Sequence, residues 1–538
     1  MHRIAYRNGI IYTADSKCPV AEAFAVEDEH FVYVGDSEGL PDCTEQIDLG
    51  GACVIPGLVD THCHMLAGVV QASAHMIFVD PETTPEELGD SIISQLETEY
   101  ITEDTTVICM GIDLTVGEFF AKNIDCSIAD RPVMVFSNDG HALLLNTMAM
   151  NKLCINKETE DPDSSSYYVR DDEGNPTGLV IEIPAMTPCK ALMKEPDSKE
   201  SEVILQMLAE KYAKLGYTSI FEAMSVDDED AEILKILQEL DMAGKLPLHV
   251  STSFGYRGEE ARTAEDTIKL MKRNRDMYSS MNVRHETLKM IPDGTVEEHT
   301  AHLYESYADA PNNCGSEILK VEDMKKAAKL ALKEGFSVHI HAIGDRAVTH
   351  ALDALYGLSY SGGTRTIAHN QLYRSEDIER MIDDKNIFFQ TTPHWMKNDN
   401  YTMKYLGKNR FEKQFPVGTM QRGGVTVTFG SDSCLEPETA NAFAGMFYAC
   451  ARGDENACGK ECLIPQSESI SRMDCLMAYT INGARQLGLD HETGSITVGK
   501  LADFITLDRD LINCPIHELK EIQVTQTWFR GNSLCWQS

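Results

Sequence analysis

The chain has 538 residues and a formal net charge of −38 at pH 7, with 43% hydrophobic and 25% charged residues. This composition is typical of a globular protein with a large core, and it excludes disordered, collagen-like and coiled-coil classes for most of the chain. So acidic a protein repels nucleic acid and anionic membrane surfaces, and no run of Lys and Arg offsets the repulsion. We therefore expect neither nucleic acid nor a membrane as a partner.

The N-terminal segment MHRIAYRNGIIYTADSK contains no apolar stretch typical of a signal peptide, and no later window is apolar enough for a membrane span. The 16 cysteines are too sparse for a disulfide framework. The tightest group, Cys450, Cys458 and Cys462, lacks the spacing of a structural zinc site, so we interpret it as ordinary thiols. These features predict a cytoplasmic protein.

Both ends of the chain predict short β-strands. Residues 1–56 alternate apolar and polar side chains between Asn-Gly and Gly-Asp turns, and residues 495–538 show a similar pattern. Because chain termini often lie close together, we expect one β-sandwich assembled from the two ends.

The middle of the chain, residues 57–494, predicts strands that alternate with helices. Amphipathic helices are predicted at 230–244 and 321–335, and each ends in Gly. Eight short apolar runs end in polar residues: VIPGLVDTHCH, YTSIFEA, LPLHVSTSF, ETLKMIPD, SVHIHAIGD, RTIAHN, NIFFQTTPH and VTVTFGSDS. Eight such units predict an α/β fold, a (β/α)8 TIM-type barrel.

The first two predicted barrel strands, near residues 64 and 217, are about 150 residues apart, far more than a βα loop needs. The sequence therefore predicts an inserted subdomain at about 68–212 within the barrel. Inside it, the acidic and Ser-rich stretch 156–173 is expected to be an exposed excursion.

A pair of histidines lies at the end of the first barrel strand. His62 and His64 are two positions apart, so on a strand both side chains point to the same face and can bind one metal ion. Such a pair also occurs in ordinary cores and on surfaces. Further polar groups follow other strands, at the end of a barrel where active sites lie: Lys289, His339, His341, His369 and Asp432. A buried cluster of this kind is costly unless a metal neutralises it.

These residues resemble those of the amidohydrolase superfamily, and more closely its amidohydrolase-3 branch, which includes the N-substituted formamide deformylases. The resemblance covers nearly the whole chain and is weakest in the insertion. It extends to PGLVDTHCH, DGHALLLN (139–146), NPTGLVIE (175–182), residues 293–307, HAIGDRAV (341–348) and GSITVGKLADFITLD (494–508).

The resemblance implies a metal centre. It implies that His62, His64 and Asp432 bind a first metal ion, and that His341 and His369 bind a second. Lys289 matches a lysine that many relatives carboxylate and use to bridge two metals. Unmodified Lys289 paired with a carboxylate such as Asp293 remains an alternative, as does a single ion. Zinc suits imidazole and carboxylate ligands, and other divalent metals are possible.

The remaining site residues have less specific roles. We expect Asp432 to act as general base and then acid, and the neighbourhood of His341 to help polarise the scissile carbonyl. We expect His339 to orient a metal ligand or to lie near the substrate, with direct metal ligation or core packing as alternatives. Glu222 is an alternative metal ligand. Substrate contact is predicted for His141 with Asn146, and for His394 and Trp395, with a structural role as the alternative for the first pair.

The predicted function is a metal-dependent hydrolase of a non-peptide C–N bond, acting on an N-acyl or N-formyl amine with metal-activated water. Hydrolysis of a cyclic amide, imide or carbamate, or deamination, remains an alternative because the scaffold alone does not choose. A non-catalytic binding protein is the alternative from another class, and the complete ligand set argues against it. The expected partner is a small amide-type molecule, and the resemblance implies a possible homodimer.

Overall fold

The structure is a computed structural model of the whole chain. It describes residues 2–73, 76–96, 106–137, 140–162, 166–193, 196–226, 231–360, 362–399, 401–434, 440–459 and 461–534. Strands and helices are numbered here in chain order. In the part of the chain so described, no helix combines the length and apolar character needed to cross a bilayer.

The first six strands run almost consecutively from the N-terminus. Five belong to a sheet formed by both chain ends: β1 Arg3–Tyr12, β2 Val20–Glu27, β3 His30–Gly35, β4 Glu45–Asp48 and β5 Cys53–Pro56. The next strand, β6 Leu58–Cys63, is the first strand of the barrel.

The long segment after β6 forms a separate six-stranded sheet. Its strands are β7 Ile77–Phe78, β8 Val107–Ile112, β9 Val133–Ser137, β10 Ala142–Leu145, β11 Tyr167–Arg170 and β12 Pro176–Ile181, in the order β11-β12-β10-β9-β8-β7. The helices here are α1 Met65–Ser73, α2 Leu88–Leu96, α3 Lys122–Asp125, α4 Thr147–Lys152 and α5 Ile183–Met186, with 3-10 turns at Leu114–Val116 and Thr187–Leu192.

The predicted excursion at 156–173 is only partly an exposed loop. Its residues 163–165 lie outside the described part of the chain. Strand β11 lies within this stretch and pairs with β12. Its Tyr168 is buried in an apolar cluster of this sheet, so this part is not an exposed loop.

The eight predicted barrel strands are confirmed. With β6, the barrel contains β13 Tyr217–Val226, β14 His249–Tyr256, β15 Val283–Met290, β16 Ser337–Ala342, β17 Arg365–His369, β18 Ile387–Thr391 and β19 Val427–Phe429, all paired in parallel and in chain order. Strands such as β14 are buried along their whole length, because helices cover the outside of the barrel and side chains fill its interior. The ring nearly closes between β19 and β6, where the backbone N–H of Asp432 donates to the His62 carbonyl at 2.7 Å.

Helices follow the barrel strands. They are α6 Ser198–Lys214, α7 Ala231–Met242, α8 Ala264–Tyr278, α9 Val321–Lys333, α10 Asp345–Leu355, α11 Ser375–Asp383, α12 Thr402–Leu406, α13 Lys408–Phe411, α14 Val417–Arg422, α15 Ala442–Ala451, α16 Glu455–Cys458, α17 Arg472–Ala478 and α18 Ile481–Gln486. Short 3-10 turns lie at Pro393–Met396, Gln466–Glu468 and Ile516–Glu521. The two predicted helices correspond to α7 and α9, although residue 230 lies outside the described part of the chain.

The last strands return to the N-terminal sheet. Strands β20 Phe504–Leu507, β21 Val524–Phe529 and β22 Asn532–Ser533 join it in the order β22-β21-β20-β5-β1-β2-β3, with β4 paired to β1. Phe31 in β3 and Phe504 in β20 are four strands apart, which would separate them by about 19 Å in a flat sheet. Their rings are 6.1 Å apart, so the sheet folds over itself around an aromatic core, as the predicted sandwich requires.

A buried ion pair links this sheet to the barrel. His249 at the start of β14 places its Nε2 3.0 Å from Asp503 Oδ2, and both side chains are buried. Asp503 also accepts hydrogen bonds from the Thr493 hydroxyl and the backbone N–H of Arg530. The pair therefore fixes the terminal sheet at the end of the barrel where the strands begin.

Candidate active site

Three side chains from the first and last barrel strands meet at the opposite end of the barrel. The ligand atoms of His62, His64 and Asp432 all lie within 4.8 Å of one another. Asp432 Oδ1 is 3.0 Å from His64 Nε2 and 3.4 Å from His62 Nε2. This arrangement can hold a metal ion, and it unites residues 370 positions apart.

A buried carboxylate beneath this group fixes the backbone that carries it. Asp60 accepts hydrogen bonds from the backbone N–H of Ser431 at 3.0 Å, from the Ser431 hydroxyl at 2.6 Å and from the backbone N–H of His62 at 3.2 Å. Asp432 follows in the left-handed region with φ of 55°, uncommon for a residue with a side chain. Asp60 therefore holds β6 against the end of β19, a role that its sequence position did not reveal.

Lys289 lies inside the barrel beside the histidines. Its side chain is buried, and Nζ is 3.3 Å from His62 Nε2. Burial lowers the pKa of Lys289 to about 8, so a substantial fraction of the amine is neutral near physiological pH.

The alternative carboxylate partner for Lys289 has other contacts. Asp293 accepts hydrogen bonds from the backbone N–H groups of His302, Ile343 and Gly344 at 3.0, 3.3 and 2.8 Å. Asp293 instead fixes the loop after β15 against the loop after β16.

His341 and His369 form the second half of the cluster. Their ring centroids are 4.4 Å apart with an interplanar angle of 66°, and burial lowers the pKa of each well below its usual value. His369 adopts φ of 70°, another left-handed residue at a barrel strand end. Trp395 lies parallel to His369 with a centroid distance of 5.1 Å, which puts a large aromatic face beside the cluster.

Two groups support the histidines from behind. His339 places Nε2 3.0 Å from His62 Nδ1, and its ring packs on Phe221. Glu222 is buried, accepts a hydrogen bond from the backbone N–H of Leu66 at 2.6 Å, and lies 3.8 Å from His64 Nδ1. Both positions suit residues that orient His62 and His64. His339 lies behind the candidate ligand His62 and does not face the mouth of the barrel.

The inserted sheet contributes one of the predicted substrate residues. His141 precedes β10, and its ring lies 6.3 Å from that of His341. Its Nδ1 is 3.0 Å from Glu182 Oε2 at the end of β12. Asn146 has a structural role instead, because its side chain caps α4 through the backbone N–H of Ala149.

His394 makes a backbone contact. Its Nε2 lies 3.0 Å from the carbonyl oxygen of Asn441, which precedes α15, and burial lowers its pKa to about 4. This contact connects the turn after β18 to the segment that follows Asp432.

Comparison with known proteins places most of the chain in one family. The Amidohydrolase family model matches residues 45–534. The exoenzymes regulatory protein AepA of Pectobacterium carotovorum is 28% identical over 79% of this chain and 92% of its own length. The N-substituted formamide deformylase of Arthrobacter pascens is 25% identical over 97% of this chain and 96% of its own.

Among solved structures, an uncharacterized metal-dependent hydrolase from Pyrococcus furiosus matches with a TM-score of 0.69 and 25% identity, covering 95% of this chain and 100% of that one. The family match and these relatives agree with the barrel and its cluster of polar strand ends. The chain therefore belongs to the amidohydrolase family, and it is a hydrolase that acts on carbon–nitrogen bonds.

Proposed function

We propose that this protein is a metal-dependent hydrolase that cleaves the C–N bond of an N-acyl or N-formyl amine. The observation that carries the proposal is the convergence, at one end of the barrel, of six side chains from five strands or strand ends: His62, His64, Lys289, His341, His369 and Asp432. The similarity to an N-substituted formamide deformylase over almost the whole chain supports the choice of bond.

The residues fit a divalent ion, and zinc in particular. Imidazole nitrogens and a carboxylate are the donors that zinc prefers. Nδ1 of His369 is buried and has no hydrogen-bond partner among the described residues, as expected of a nitrogen that is available to a ligand. We propose His62, His64 and Asp432 for one ion, and His341 and His369 for a second. When bound, the metal would supply a water of lowered pKa and polarise the scissile carbonyl.

Lys289 is the proposed bridge between the two sets. Its neutral amine can add to CO₂ and release one proton, which gives a carbamate whose anionic oxygens suit two cations. His62 lies next to Nζ, so such a group would form where the two donor sets meet.

Asp432 is the proposed proton carrier. Its carboxylate lies 3.0 Å from His64 Nε2, 3.4 Å from His62 Nε2 and 3.6 Å from His369 Nδ1, and the Asp60 hydrogen bonds to Ser431 and His62 hold the adjoining backbone. It would accept a proton from the attacking water and pass it to the leaving nitrogen, because an amine leaves far more readily than its anion. Trp395, parallel to His369, would form one wall for the substrate.

A screen of zinc-loaded protein tests the proposal. The panel contains N-formyl amines, N-acetyl amines, carbamates, cyclic imides and amino-substituted heterocycles, with chelator-treated protein as the control. We expect release of an amine and a carboxylic acid, lost on chelation and restored by zinc. Release of ammonia would instead identify a deaminase. Full metal occupancy without turnover of any compound would favour a binding protein. The AepA relative is named as a regulatory protein, which would agree with that outcome.

A further inference from the structure

The end of β17, which carries His369, has an unusual backbone. His369 and the next residue, Asn370, both adopt left-handed conformations, with φ of 70° and 56°. Such conformations are uncommon for residues other than Gly, and they persist where the surrounding structure holds them in place. This turn of the backbone brings the His369 ring to 4.4 Å from the ring of His341, measured between centroids.

The side chain of Asn370 supports this backbone. It is fully buried, and its Nδ2 donates to the carbonyl oxygen of Ile367 at 2.5 Å and to that of Gln390 at 2.8 Å. Its Oδ1 accepts a hydrogen bond from the Tyr373 hydroxyl at 2.7 Å. A carbonyl oxygen only accepts, so the amide has a single orientation in which its two hydrogens and its oxygen are all used.

These contacts join the ends of three neighbouring barrel strands. Ile367 lies in β17 and Gln390 in β18. The backbone N–H of Asn370 donates to the carbonyl oxygen of Ala342, the last residue of β16, at 3.0 Å. Strand β16 carries the other proposed ligand of the second ion, and β18 leads into the turn that carries Trp395. One residue therefore connects the three strand ends that surround the second proposed metal position.

We propose that Asn370 is a positioning residue for the second metal ion. By joining β17 to β18, its amide holds His369 in the left-handed conformation that directs the ring toward His341. Side chains of similar size cannot replace this amide, because an Asp carboxylate would face two carbonyl oxygens and a Leu side chain makes no hydrogen bonds. The inference rests on the proposed function, since it takes His369 as a ligand of the second ion.

The test measures zinc affinity, by competition with a chromogenic chelator, in Asn370→Gly and Asn370→Ala. Gly adopts left-handed conformations readily, so Asn370→Gly permits the same backbone and removes the amide. We expect the affinity for the second ion to fall about 10- to 100-fold in Asn370→Gly, as is typical for groups that orient a metal ligand. It should fall at least as far in Asn370→Ala, in which the positive φ is also unfavourable. The affinity for the first ion should stay near the wild-type value in both.

Asn146→Ala is the matched control. Asn146 is also fully buried, and it lies in the inserted sheet. Its Oδ1 accepts from the backbone N–H groups of Val133 and Ala149, and its Nδ2 donates to the carbonyl oxygens of Ile128 and Arg131. Urea unfolding should show a loss of stability in this variant, because a buried amide and its hydrogen bonds are removed. Both zinc affinities should remain unchanged.

Three results would count against the inference. Wild-type affinity for the second ion in Asn370→Gly would overturn it, and so would an equal loss of that affinity in Asn146→Ala, since either result leaves the Asn370 amide a role in stability only. A second ion that is absent from the wild type, or bound unchanged in His369→Ala, would remove the ligand assignment and the inference with it. Wild type that binds two ions but hydrolyses no compound would overturn the proposed reaction alone, and the binding measurements would still decide the role of Asn370.

Discussion

Nδ1 of His62 lies 3.0 Å from Nε2 of His339, while Nε2 of the same His62 ring faces Lys289 at 3.3 Å and Asp432 at 3.4 Å. Both edges of His62 are therefore in contact, one with a supporting histidine and the other with the candidate ligand group. A ring held in this way has little freedom to turn, and its tautomer is set by its neighbour.

This contact predicts the effect of removing His339. His339→Leu fills a similar volume but leaves Nδ1 of His62 without its partner. We expect zinc affinity to fall about 10- to 100-fold, as is typical for groups that orient a metal ligand. Competition with a chromogenic chelator measures it. Unchanged affinity would show that His339 does not support a metal ligand.

Asp432→Asn separates proton transfer from metal binding. The amide keeps the shape of the side chain but cannot carry a proton between water and the leaving nitrogen. We expect kcat to fall by about 10²- to 10⁴-fold while most of the metal content remains. Rapid-quench kinetics and elemental analysis on the same preparation provide the measurement. Near-normal kcat would remove Asp432 from the mechanism.

Carboxylation of Lys289 predicts a dependence on CO₂. Its pKa of about 8 leaves enough neutral amine to react at physiological pH. Metal-free enzyme incubated with zinc should therefore recover activity faster with bicarbonate than in CO₂-depleted buffer. Equal rates in the two buffers would argue for an unmodified lysine, and Lys289→Gln is the variant in which bicarbonate should have no effect.

Trp395 provides an optical signal for the site. The chain has three tryptophans, Trp395, Trp528 and Trp536, and Trp395 lies parallel to His369 at 5.1 Å. If His369 binds zinc, the charge gained by its ring should change the emission of Trp395 during a zinc titration. The change should persist in Trp528→Phe and disappear in Trp395→Phe; a signal that survives in Trp395→Phe would contradict it.

The ion pair between His249 and Asp503 predicts a pH-dependent contribution to stability. Burial alone would raise the pKa of Asp503, but the interaction with His249 and the hydrogen bonds from Arg530 and Thr493 together hold that pKa below its usual 3.8. A carboxyl with a lowered pKa stabilises the folded state above the unfolded-state pKa, and this contribution is lost as pH falls toward the folded-state pKa.

Asp503→Asn should therefore lower the free energy of unfolding by about 1–3 kcal/mol at neutral pH, since the buried His249 loses a charged hydrogen-bond partner. The difference from the wild type should narrow as pH falls below about 4. Urea unfolding at a series of pH values measures it. A difference that stays constant down to pH 3 would indicate that the charge of Asp503 contributes nothing.

The barrel was predictable because its strands differ from their surroundings in composition. Each is a short apolar run that ends in polar residues, and a parallel sheet covered on both faces requires that pattern. The inner order of the six-stranded sheet was not predictable. Strands β7 to β12 range from two to six residues, and their pairing depends on contacts between segments distant in sequence, such as Leu143 with Val180.

The residues of the candidate site could be predicted from the sequence only where their spacing along a strand, or their position at a strand end, indicated their location. His62 and His64 are two positions apart at the end of one strand, and His341, His369 and Asp432 lie at or just after the ends of strands that must converge. Asp60, Ser431 and Glu182 gave no such indication, because their roles come from tertiary hydrogen bonds and from a left-handed backbone at Glu182. His394 was expected at the mouth, yet its ring nitrogen bonds the Asn441 backbone.

The closure of the barrel between β6 and β19 has a consequence for how the protein is made. His62 leaves the ribosome early, whereas Asp432, whose backbone N–H bonds the His62 carbonyl, is synthesised 370 residues later. A nascent chain therefore has the histidines but lacks the complete set of proposed ligands until the eighth barrel strand and Asp432 have emerged. The terminal sheet is completed later, by β20 to β22. Ion capture during synthesis must therefore wait until Asp432 has emerged, so a chain that ends before Asp432 should lack the complete ligand set rather than bind the ion more weakly.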